Sequence, residues 1–190
     1  MEREPLGERQ DTALIKLILI ALAIFIPMLL EARRAAANEQ VQRALGGIEP
    51  ADDVYKMMRV AYPATFLAMI VEGALRRPAA GILLAAGVAV FVFAKALKWW
   101  AILTLGGFWT FRVIVVPGES LVVTGPYRWL RHPNYLAVVG ELVGTALMTA
   151  AAITGPLATA GFCVLLSKRI SIEDRALGRT AAASRLHPRA

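Results

Sequence analysis

The side chains best suited to chemistry are concentrated in one run, Gly125-Pro126-Tyr127-Arg128-Trp129-Leu130-Arg131-His132-Pro133-Asn134-Tyr135. Pro133 suits the first turn of a helix, because the N–H it lacks would have no partner there. It also steers His132 out of helical backbone, so His132 sits at the cap. A helix N-terminus exposes free N–H groups and the positive end of the helix dipole, and both favour an anion. Tyr127, Arg128, Arg131, His132 and Tyr135 crowd around that end, forming a rim suited to a small, partly anionic cofactor. The same residue types populate ordinary membrane interfaces, and spacing alone leaves both readings open.

Two further signals lie downstream. Arg169 and Glu173 are four residues apart and share a helix face, which by itself makes an ion pair at a helix end. Gly155-Pro156 keeps the connection 150–156 short, so the helices on either side must be antiparallel neighbours. Their far ends, His132–Tyr135 and Arg169–Glu173, are then close in space. Glu141 stands eight residues past Pro133, about 12 Å along the helix. A carboxylate at such a depth in a bilayer is costly and often functional, and the plainer alternative is a protonated Glu141 bonded to another helix. Ala137, Gly140 and Gly144 share a face suited to close helix packing. Cys163 reads as inert packing within a span, and His187 as a solvated residue of a basic tail.

The elements that must position these groups are apolar. Of 190 residues, 57% are hydrophobic and 18% charged, and mean hydropathy is +0.57. A soluble domain has roughly a quarter charged residues, and a disordered chain is far less apolar. The single cysteine excludes an internal disulfide. Apolar blocks fall at 13–30, 60–75, 79–94, 133–152 and 156–167. Spans need about 20 mostly apolar residues, and with flanking residues these blocks predict an all-α integral membrane protein of about five transmembrane helices. Glu2, Glu4, Glu8 and Asp11 argue against a cleavable signal. Lys95, Lys98, Trp99 and Trp100 have the look of snorkelling and aromatic-belt residues at an interface. Arg112–Val116 and Leu121–Thr124 flank Pro117-Gly118-Glu119-Ser120, as in a short hairpin or an extended loop. The organisation expected is a three-helix membrane region over 1–94 with a cytoplasmic loop at 31–59, a core over 95–178, and a basic tail over 179–190.

The net charge of +7 could mean nucleic acid or membrane loops. Its distribution favours loops. With five spans, sixteen basic residues fall on the side holding 31–59, 95–132 and the C-terminal tail, against Arg3, Arg9, Lys16, Arg76 and Arg77 on the other. The positive-inside rule then places the C-terminus in the cytoplasm and the N-terminus outside, and no nucleic-acid partner is expected.

On these residues the chain resembles the isoprenylcysteine carboxyl methyltransferases. Gly125–Tyr135 is similar to their Gly-Pro-Tyr-x-x-x-Arg-His-Pro-x-Tyr signature, and Arg169-Ile170-Ser171-Ile172-Glu173-Asp174 to their Arg-Ile-x-x-Glu-Glu element. The resemblance runs from about Lys98 to Gly178, and Glu31–Leu75 looks like the short bacterial members. It departs at Ala137, where the family often has Gly, at Glu119, where it has His, and in the Ala- and Arg-rich tail.

The resemblance implies S-adenosyl-L-methionine (SAM) as methyl donor, in a cytoplasmic pocket formed by the last two helices and the preceding loop. Leu121, Val122, His132, Pro133, Asn134, Tyr135 and Glu173 would hold the cofactor. Tyr127, Arg169 and Glu141 would meet the acceptor, with Arg169 and Glu173 as the catalytic pair. The acceptor would be a lipophilic carboxylate or an acidic enol or phenol entering from the bilayer. The alternatives are a phospholipid N-methyltransferase, an NADPH-dependent sterol-type reductase sharing the His-Pro-x-Tyr element, and a non-enzymatic membrane adaptor. An arginine aimed at the acceptor disfavours the first, because its acceptor is an amine.

Overall fold

Five α-helices carry nearly all the regular structure: α1 Leu6–Ala44, α2 Tyr55–Arg76, α3 Gly81–Leu105, α4 Pro133–Thr149 and α5 Thr154–Leu186. The structure, a computed structural model, describes residues 6–186, with side chains described for 10–178. His187 lies outside the described residues, as do the side chains of Arg179 and Arg185.

Among the described residues, three helices are long and apolar enough to cross a membrane. They are Gln10–Ala44, Tyr55–Arg76 and Gly81–Phe108, with mean hydropathies of 2.8, 1.2 and 1.9. Large apolar side chains such as Leu14, Leu19, Leu22, Ile26 and Phe93 point outward from them. In water they would be an aggregation surface; against lipid they are ordinary. The chain is an integral membrane protein.

The boundaries differ from the sequence expectation in three places. The segment 31–59 is not a loop, because α1 continues unbroken to Ala44 and only 45–54 connects it to α2. Its polar residues have partners that sequence spacing cannot reveal. Asn38 Nδ2 donates to the Gly106 and Trp109 carbonyls (3.0 and 2.7 Å), and Gln42 Nε2 to the Gly107 carbonyl (2.9 Å). These bonds satisfy backbone acceptors left over at the end of α3. Likewise 95–105 is the last part of α3, which is continuous across the 94/95 boundary. Finally, the β-branched runs at 112–124 do not pair with each other. Val115 instead forms an isolated antiparallel bridge with Ile48.

α4 is the hub, packed along its length by α3 and flanked by α5 and α2. Small residues allow that approach. A Cβ on Gly144 would lie 2.7 Å from the Phe91 backbone nitrogen, and one on Gly140 would lie 2.8 Å from the Ala94 Cβ. The Gly140–Gly144 face is therefore a packing face, as its spacing indicates.

The turn into α5 is tight. Ala150 adopts left-handed backbone (φ 52°, ψ 36°), with its N–H on Leu147 O (3.3 Å) and the Ala151 N–H on Ala146 O (2.9 Å). This pair of bonds is the Schellman closure of a helix. Glu72 of α2 then caps α5, accepting from the Ile153 N–H (3.1 Å), the Thr154 N–H (2.7 Å) and the Thr154 hydroxyl (2.6 Å). A carboxylate suits the positive end of a helix. The antiparallel α4–α5 pair that results brings the start of α4 to the middle of α5.

Candidate functional site

The site is built around the first turn of α4. His132 is the cap residue (φ −131°, ψ 64°) and Pro133 opens the helix. The His132 carbonyl accepts from the Tyr135 and Leu136 N–H groups. Gly125, at φ +56°, begins a short 3-10 turn, Gly125–Arg128. A Cβ there would collide with the Thr104 side chain, so only glycine lets this turn lie against α3.

α5 supplies the facing side. The Tyr135 hydroxyl donates to Glu173 Oε2, and Arg169 Nε donates to the Tyr135 hydroxyl at 3.0 Å. The His132 ring stacks on Tyr135 with centroids 5.4 Å apart. Its Nδ1 is 4.0 Å from Glu173 Oε2, and its Nε2 is 3.5 Å from Asp174 Oδ1. Nε2 is buried and, despite that nearness, has no hydrogen-bond partner. Arg131 reaches Asp174 at 3.8 Å from the exposed side. Tyr127 belongs to the same group: burial, and then repulsion from Glu173, push its phenol well above the usual range.

The geometry thus assembles Tyr127, His132, Pro133, Tyr135, Arg169 and Glu173 from three separate segments, as the short connection implies. Asn134 faces elsewhere, since its Oδ1 accepts from Trp109 Nε1 at 3.4 Å and ties α4 to the α3 exit. Leu121 is 62% exposed and Val122 half-buried, on an irregular segment that joins the group where the Tyr127 N–H donates to the Thr124 carbonyl at 3.1 Å.

Glu141 stands apart. It joins Lys95 (3.0 Å), Lys98 (3.4 Å) and the Tyr62 hydroxyl. The same two lysines pair with Glu31 at 2.9 and 2.7 Å. Glu31, Lys98 and Glu141 are 0, 2 and 1% exposed. Lys95 and Lys98 are therefore internal partners of buried glutamates, not snorkelling residues at an interface. Their partner on α1 is more than sixty positions away in sequence, which is why the spacing near Trp99 and Trp100 misleads.

One residue of the site gave little sequence signal. Asp53, in the α1–α2 connection, accepts from Arg169 Nη1 at 2.9 Å. A lone acid in a polar loop looks solvated. The one available hint was Asp52-Asp53 just before an apolar block, where an acidic side chain can cap a helix.

The family described as isoprenylcysteine carboxyl methyltransferase (ICMT) matches residues 87–179. An uncharacterized protein, YpbQ, of Bacillus subtilis (strain 168) is 36% identical over 162 residues, 84% of this chain and 95% of that protein. An uncharacterized protein of Haemophilus influenzae is 26% identical over 141 residues, 74% of this chain and 82% of that one. No solved structure is a significant match.

Proposed function

The chain belongs to the isoprenylcysteine carboxyl methyltransferase family, and from that premise we propose that it transfers a methyl group from SAM to an acidic oxygen of a lipophilic acceptor. The acceptor oxygen is a carboxylate of the isoprenylcysteine type or the hydroxyl of an acidic enol or phenol. The observation that carries this reading is the buried, unbonded His132 Nε2 at the head of α4, within reach of two α5 carboxylates. A buried ring nitrogen without a partner is costly, and a ligand atom can relieve it.

The charge also fits. Arg131 pairs with Asp174 and Arg169 with Asp53, while Glu173 is bonded to the neutral Tyr135, leaving one negative charge in surplus. SAM carries one net positive charge. Its sulfonium and ammonium suit Glu173 and Asp174, and its carboxylate suits the α4 N-terminus. In this reading His132, Pro133, Tyr135 and Glu173 hold the cofactor, Asn134 steadies the first turn of α4 through Trp109, and Leu121 and Val122 line the cofactor from the 117–124 segment.

When bound, SAM supplies a methyl on a sulfonium, which bonds to the acceptor oxygen as the C–S bond breaks and its electron pair stays on sulfur. The residues of the chain act by placement and exclusion of water. Arg169 presents Nη2, which has no hydrogen-bond partner among the described residues, to the acceptor oxygen. Tyr127 walls the same side. A carboxylate acceptor needs no base; an enol gives up its proton before attack, and Glu173 is the nearest carboxylate to Tyr135 and Tyr127 that can take it.

We also assign α4 and α5 as the fourth and fifth crossings, with the site cytoplasmic. Lys95 and Lys98 drop out of the positive-inside count, yet the excess on that side persists. The test is a titration of the detergent-solubilised protein with SAM, S-adenosylhomocysteine and NADPH. The first two are expected to bind. Binding of NADPH without SAM would overturn the reading in favour of the reductase alternative.

A further inference from the structure

We infer that Asp53 is a positioning residue for the acceptor: it holds the Arg169 guanidinium so that one arm stays free to receive the acceptor oxygen. This inference rests on the methyltransferase reading above and extends it to a residue outside the family-matched segment 87–179. Arg169 is 5% exposed and sits between two partners, with Nη1 on Asp53 Oδ1 (2.9 Å) and Nε on the Tyr135 hydroxyl (3.0 Å). Two fixed bonds on different nitrogens set both the position and the plane of the guanidinium, leaving Nη2 over. Tyr135 alone would fix neither, since one bond permits rotation about it.

Asp53 is itself held rigidly, which is what a positioning group needs. Its Oδ1 also accepts from the Tyr55 N–H (3.1 Å), the first residue of α2, and its Oδ2 accepts from the Val113 N–H (2.9 Å). Its side chain is 3% exposed. The loop that carries it is tied down by the Ile48–Val115 bridge, whereas the exposed Arg175–Asp52 pair beside it is a surface contact that contributes little. The carboxylate therefore joins three segments, and among the described residues Arg169 is the only charged group bonded to it. A charge-assisted bond to a buried guanidinium is also the strongest of these contacts. A saturated, buried carboxylate of this kind is a fixture, not a stand-in that an incoming acceptor displaces.

The test uses full-length protein in detergent, with Asp53→Asn, Asp53→Glu and Asp52→Asn. Asparagine keeps a carbonyl oxygen to accept from a backbone N–H, but it removes the charge from Arg169. Three readouts are taken: phenylglyoxal labelling of Arg169 by mass spectrometry, SAM affinity by titration, and methyl transfer from labelled SAM to N-acetyl-S-farnesylcysteine and to an alkylpyrone. In Asp53→Asn, Arg169 is expected to label faster than in wild type, with SAM affinity unchanged. The kcat/KM for whichever probe is turned over is expected to fall roughly ten- to a hundredfold, mainly through KM. Asp53→Glu is expected to recover part of this, and Asp52→Asn to match wild type. Unchanged Arg169 labelling in Asp53→Asn would overturn the inference, and so would a fall in SAM affinity equal to the fall in kcat/KM. Failure of wild type to bind SAM would sink the methyltransferase reading alone, because the labelling still reports whether Asp53 holds Arg169.

Discussion

Two polar clusters lie along α4, one buried and one half-buried, and they are built in opposite ways. Around Glu141, two glutamates and two lysines from α1, α3 and α4 balance one another in charge, with every carboxylate oxygen within 3.4 Å of an ammonium group, although Glu31 Oε2 and Glu141 Oε1 lack a well-aligned hydrogen bond. Around His132, about 9 Å away by helix rise from Tyr135 to Glu141, the charges do not balance. His132 Nε2 has no bond, Arg169 Nη2 is free among the described residues, and acids outnumber bases. A closed, neutral cluster locks helices together. An open, unbalanced one has capacity for a ligand. Both contain a glutamate in an apolar helix contact, so residue type alone does not separate them; the balance of charge does.

The largest expected effect follows from closure. Lys98→Met leaves a buried carboxylate unpaired and is expected to cost about 3–5 kcal/mol, read as a lower midpoint of thermal unfolding in detergent. Lys98→Met combined with Glu141→Gln restores neutrality and is expected to recover most of that loss. If the double variant were no better than the single, the locking role would fail.

Next comes the α3–α4 contact that supports both clusters. Gly144→Ala places a Cβ 2.7 Å from the Phe91 backbone nitrogen. The helices must part, at an expected cost of roughly 1–3 kcal/mol by the same unfolding measurement. SAM affinity should fall with it, because α4 carries the site.

The smallest effect is a control away from both clusters. Ala150 holds a left-handed conformation that glycine adopts more readily. Ala150→Gly is expected to raise stability by up to about 1 kcal/mol and to leave SAM binding unchanged. A loss of binding in that variant would show that the two ends of α4 are coupled.

How much of this could be read in the sequence depends on whether the cause was local. Pro133 fixes the start of α4, and the Gly140–Gly144 spacing marks its packing face; both are written within one turn or two. The convergence of His132–Tyr135 with Arg169–Glu173 was also readable, because a short connection constrains two helices to be antiparallel. Non-local partners were not readable. Glu31 for Lys98, Asp53 for Arg169 and Asn38 for the Gly106 carbonyl each come from more than sixty residues away. Lys95 and Lys98 consequently looked like interface residues, and 31–44 like part of a loop. Leu121 and Val122 show the limit of β-branched patterning, since Val115 found Ile48 in place of a hairpin partner.

The most direct measurement is SAM affinity in three proteins side by side: wild type, His132→Ala and Glu141→Gln. If the open cluster is the cofactor site and the closed one a lock, His132→Ala loses affinity by about tenfold or more, the worth of one good hydrogen bond to a charged group. Glu141→Gln then keeps wild-type affinity while unfolding at a lower temperature. Equal affinity in wild type and His132→Ala, or loss of affinity confined to Glu141→Gln, would contradict the assignment of the two clusters.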